Sequence, residues 1–85
     1  TPNPFNPRTE IAFTVPEDGS RVRLSVFDAA GRLVQTLVDG SQAAGNRTAV
    51  WNGTNGAGRK VESGLYFYRL ELNGRTVTRK MMLLE

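Results

Sequence analysis

Short runs in which apolar and polar residues alternate with a period of two account for most of the chain. Ile11, Phe13 and Val15 alternate with Glu10, Ala12 and Thr14, which predicts a strand over Glu10–Val15 with the first set inward. Pro16 ends it, because proline cannot donate to a ladder. Arg21–Asp28 carries the clearest alternation, with Val22, Leu24 and Val26 inward against Arg21, Arg23 and Ser25. Leu33–Val38 follows as a third strand, and Arg47–Asn52 as a fourth with Ala49 and Trp51 on one face. Leu65–Asn73 is a strong strand, and Arg75–Leu84 closes a hairpin on it. Asn73-Gly74 suits a type I′ turn, which needs positive φ at both central residues. Val61-Glu62 adds a short edge segment. No stretch holds a helical period for three turns.

Glycines punctuate these runs every few to a dozen residues, and Asp28-Ala29-Ala30-Gly31 reads as a turn whose Asp side chain bonds amides ahead of it. Loops are expected over Asp39–Asn46 and Asn52–Lys60. The sum is an all-β, immunoglobulin-like β-sandwich of about seven antiparallel strands. Residues 1–8, with three prolines, read as a Pro/Asn-rich linker and entry segment, and 9–85 as the sandwich. No internal repeat stands out.

Composition narrows the chemistry. The 85 residues include no Cys and no His, so a disulfide, a thiol nucleophile, an imidazole base and Cys- or His-based metal sites are all excluded. Eleven Lys and Arg against eight Asp and Glu give +3, but the basic residues are scattered singly. A nucleic-acid binder gathers them into a patch or stripe, so nucleic acid is not an expected partner. The longest unbroken apolar runs, Leu65–Tyr68 and Met81–Leu84, fall far short of the ~20 residues that span a bilayer as a helix. No carboxylates pair for acid–base work, and a catalytic role is not expected. The loop Asn52–Gly58 places oxygen donors at intervals but lacks the carboxylates calcium needs, so neither metal nor cofactor is expected.

Aromatic parity suggests where a surface lies. Tyr66 and Tyr68 share a face with Leu70 and Leu72 and belong to the core, their hydroxyls at the rim; Trp51 is core as well. Phe67 shares its face with Arg69 and Glu71, and Phe27 with Arg23 and Ser25, so both point outward. They form a possible carbohydrate-binding pair, the alternative being cross-strand partners. In Arg75–Leu84 the parity stays open between Val77, Met81 and Leu83 on one side and Met82 and Leu84 on the other.

Pro2-Asn3-Pro4-Phe5-Asn6-Pro7 followed by Thr9–Phe13 resembles the opening of type A C-terminal sorting domains of the type IX secretion system. Val26–Arg32, Ala44-Gly45 with Val50–Gly53, Ser63–Tyr68 and Arg79–Leu84 match the same pattern. The pattern overlaps the immunoglobulin-like module of flagellar hook-capping proteins. Phe27 stands where the sorting family commonly has Tyr, and Asn52 where it has Asp.

The resemblance implies a non-catalytic secretion-sorting and cell-surface attachment module of a larger secreted protein, such as a glycoside hydrolase. It implies a location outside the cell or on the bacterial surface. Protein partners of the secretion machinery would read the terminal edge strand through Arg79, Lys80, Met82, Leu84 and Glu85. The alternative is a carbohydrate-binding accessory module using Phe27 and Phe67, with surface polysaccharide as ligand. A third reading is a structural assembly module like those of flagellar capping. A monomer is expected.

Overall fold

A computed structural model describes residues 8–84. Thr1–Pro7 and Glu85 lie outside the described residues, and with them nearly all of the expected linker. Six strands form: β1 (Thr9–Val15), β2 (Ser20–Asp28), β3 (Leu33–Gln42), β4 (Gly45–Trp51), β5 (Gly64–Leu72) and β6 (Arg75–Leu83). β1 and β4 pair as a two-stranded sheet, and the other four make a sheet of order β3-β2-β5-β6. Every pairing is antiparallel.

The two sheets pack face to face through the side chains that alternation assigned inward. Ile11, Phe13 and Val15 of β1 meet Val22 and Leu24 of β2, with Leu37, Tyr68 and Leu70 packed around them. At the other end, Trp51 of β4 packs with Val26, Tyr66 and Leu83. The Trp51 and Tyr66 rings meet edge to face with centroids 5.0 Å apart, an arrangement their quadrupoles favour. Each ring also satisfies its polar tip: Trp51 Nε1 donates to the Thr54 carbonyl (2.8 Å) and the Tyr66 hydroxyl to that of Glu62 (2.6 Å).

Two details depart from the pattern-based expectation, and one left open is resolved. Among the described residues the seventh strand is absent. Val61-Glu62 forms no strand; instead Thr54 and Lys60 make an isolated bridge, and Val61 N–H donates to the Gly53 carbonyl at 2.9 Å. The loop thus closes on itself, and the Val61 side chain packs against the Trp51 cluster. β3 runs four residues beyond Val38 into the expected loop. Its alternation is masked by two register shifts against β2, which leave Val34 and Leu37 as extra residues directed to the core. In β6 the open parity resolves without a bulge. Register with β5 puts Val77, Met81 and Leu83 on the inner face and Met82 on the outer.

The turns form as their residues demand. Asn73 (φ 48°) and Gly74 (φ 84°) join β5 to β6 with the positive φ values of a type I′ turn. The Asn73 side chain also accepts from Arg21 N–H (2.9 Å) and donates to Ser20 Oγ (3.2 Å), fastening the hairpin to the start of β2.

Candidate functional site

The candidate loops prove structural. Asp28 Oδ1 accepts from the backbone N–H groups of Ala30 (3.0 Å) and Arg32 (2.9 Å), and Oδ2 from Arg32 Nε (3.1 Å). The Arg32 N–H holds the Asp28 carboxyl below its ordinary pKa; partial desolvation opposes this, and the Arg32 charge and the Ala30 N–H add to the lowering. Asn55 repeats the arrangement, its Oδ1 accepting from Ala57 N–H (3.0 Å) and Arg59 N–H (3.1 Å). Backbone bonds match too: Asp28 N–H to Arg32 carbonyl and Gly31 N–H to Asp28 carbonyl, Asn55 N–H to Arg59 carbonyl and Gly58 N–H to Asn55 carbonyl. The two five-residue turns are built alike, yet are too short to register as a sequence repeat. In Asn52–Gly58 the side-chain oxygens are thus engaged by the loop's own donors; Asn52 Oδ1 accepts from Thr54 Oγ1 at 2.7 Å. Among the described residues no group of three His, Cys, Asp or Glu side chains could hold a metal ion.

The surface residues tell a different story. β6 is an edge strand, as expected, since among the described residues its only sheet neighbour is β5. Of the residues expected to bind a partner, Lys80 and Met82 lie on the outer face of the four-stranded sheet, opposite Phe67 and Leu65. Arg79 lies on the inner side, opposite Tyr68. Leu84 follows the strand at 70% exposure, and Glu85 lies outside the described residues. Phe27 and Phe67 are direct cross-strand partners on that same outer face. Phe27 and Phe67 and two of the five expected partner residues, Lys80 and Met82, therefore share one surface.

Two members of this surface escaped sequence reasoning as functional candidates. Leu33 pairs with Phe27 from the far side and is 53% exposed. Arg69 lays its guanidinium 4.4 Å from the centroid of the Phe27 ring. The signal for Arg69 was its shared parity with Phe67; nothing in the linear pattern paired it with Phe27, 42 positions earlier by number. A sugar stacking on Phe27 would compete with that guanidinium, since one ring face is already taken.

Two sheets of two and four strands, a Trp-centred core and no disulfide define an immunoglobulin-like sandwich. The family model of the FlgD Ig-like domain matches residues 4–76, so the chain belongs to that family. Among solved structures, the crystal structure of FlgD from P. aeruginosa is similar at 25% identity with a TM-score of 0.62. The match covers 91% of this chain and 60% of that one. No curated protein matches the chain.

These findings overturn the sorting-domain reading. A type IX export signal, attachment to the cell surface, a glycoside hydrolase parent and a secreted or surface location all fall with it. The physical reason is visible in the matching motifs. Val26–Arg32 is the end of β2 and its Asp turn, Val50–Gly53 seats Trp51, and Ser63–Tyr68 opens β5. These residues answer to the demands of the sandwich, which different families share, and say nothing about export.

Proposed function

We propose that this domain is a non-catalytic structural module of a flagellar hook-capping protein, meeting neighbouring subunits through β6 and the adjoining outer face. The carrying observation is the family match over most of the chain, joined to a sheet order that leaves β6 unpaired on one side. An open edge offers backbone donors and acceptors to a partner strand. Arg79, Lys80, Met82, Leu84 and Glu85, expected from the sequence to meet a protein, keep that role here with a cap subunit as the partner. Arg79 and Lys80 protect the edge from indiscriminate pairing.

A chimera tests the reading. The Ig-like part of P. aeruginosa FlgD is replaced by this chain, and hooks are counted by electron microscopy. Hooks are expected to form, and to become rare when Arg79→Glu and Lys80→Glu are combined. A folded, stably expressed chimera that supports no hooks overturns the proposal.

A further inference from the structure

The outer face of the four-stranded sheet carries an apolar strip that crosses all its strands. Leu33, Phe27, Phe67 and Lys80 stand in register as one row across β3, β2, β5 and β6. Leu65 and Met82 form a second pair two positions along, on the same face. Leu33, Leu65 and Met82 are 53%, 39% and 58% exposed. The two-stranded sheet packs on the opposite side, against Val22, Leu24 and Val26. Among the described residues the strip is therefore an unpartnered face with more exposed apolar surface than scattered single residues would give.

Charge on this face is one-sided where the apolar residues lie. Arg69 flanks Phe67 on β5 and Lys80 ends the row. Neither takes part in an ion pair among the described residues, whose ion pairs are Arg8–Glu10, Arg21–Asp39 and Arg32–Asp28. The Arg69 guanidinium is held over Phe27, and its Nε is buried with no hydrogen-bond partner. Its direct register partner on β2, Ser25, is 1% exposed and its hydroxyl also lacks a partner. A carboxylate is the acceptor that suits a guanidinium best. The acids on this face, Glu71 and Asp39, lie in the next row along, on either side of Arg23, and one carboxylate oxygen of Glu71 is itself buried without a partner.

We infer that this strip is the docking surface for an acidic segment of a protein partner, one that sets large apolar side chains on Leu33, Phe27, Phe67 and Met82 and a carboxylate on Arg69 and Lys80. A second copy of the chain is disfavoured by charge. Pairing apolar strip to apolar strip brings Arg69 and Lys80 against the same cations. The inference gives the partner's chemistry for the assembly role proposed above. Its test uses no flagellar component, so the two readings can fail separately.

The test is an amide NMR titration of the isotope-labelled chain with a soluble peptide in which Glu alternates with Leu and Phe. The control peptide has Lys in place of every Glu. Saturable shifts at Phe27, Leu65, Phe67, Arg69 and Lys80 are expected with the acidic peptide only, weakening as salt is raised. Arg69→Gln is expected to weaken binding about tenfold, as loss of a charge-assisted contact does. Met82→Ser, at an exposed position that leaves the core intact, is expected to weaken it by a smaller factor. Absence of saturable shifts at millimolar acidic peptide overturns the inference. So does equal binding of the Lys peptide, or undiminished affinity in Arg69→Gln. Shifts at these residues caused by raising the protein concentration alone would assign the face to a second copy and overturn it as well.

Discussion

Strands β2 and β6 are each nine residues long and belong to one sheet, yet β2 and the first half of β6 live in opposite environments. On β2, Val22, Leu24 and Val26 are 0% exposed. On β6, Val77 shares the inner face with Leu24 through Leu70, yet it is 44% exposed. Arg75 and Arg79 occupy the inner positions on either side of it and are exposed. The difference is one of coverage. β2 has β3 and β5 beside it and the two-stranded sheet above, whereas among the described residues β6 has β5 on one side only, and its residues 75–79 are all exposed. Parity selects a face; the width of the opposing layer decides whether that face is dry.

Substitutions in the two strands probe this contrast directly. Leu24→Ala is expected to cost about 2–5 kcal/mol, the range for emptying a packed site, measured by urea unfolding. Gly74→Ala, at the turn that starts β6, forces a Cβ into φ 84° and is expected to cost roughly 1–2 kcal/mol. Val77→Ala should cost under about 1 kcal/mol despite its inward parity, because little is buried there. A Val77→Ala loss equal to that of Leu24→Ala would break the comparison. Lys80→Glu should change stability by less than about 1 kcal/mol, so any larger effect in the hook assay belongs to the interface.

The smallest expected effect is a pH dependence at the end of β2. The Asp28 carboxyl has a folded pKa below its unfolded one, so its contribution to stability is fully present above the unfolded value, about 3.9. It is lost as pH falls through the lower folded value. Asp28→Asn should remove that acid-side slope while preserving the turn, since Asn55 already holds the same backbone pattern with an amide. Thermal unfolding of both proteins across the acid range checks it. An unchanged slope in Asp28→Asn would place the pH dependence elsewhere.

Local alternation and turn chemistry were enough to locate β1, β2 and the β5–β6 hairpin, to put Ile11, Leu24 and Trp51 inside, and to assign Phe27 and Phe67 outward. Those features depend on near neighbours: a side chain's parity, an Asn-Gly turn, an Asp that binds its own amides. The extension of β3 was hidden because two extra residues break the period that reveals a strand. Val61 read as strand by composition but serves as a plug, since the loop before it closes on its own backbone.

What only the tertiary structure decided is which distant residues share a surface. Leu33, Phe27, Phe67, Lys80 and Met82 come from four strands, and pairing register alone brings them into adjoining rows. The same holds for the bare inner positions of residues 75–79 in β6, beside an opposing sheet of two strands. Linear pattern determines the face of each residue because the pleat alternates every residue. It carries no measure of how many strands lie beside or above that face, and burial and partnership follow from that count.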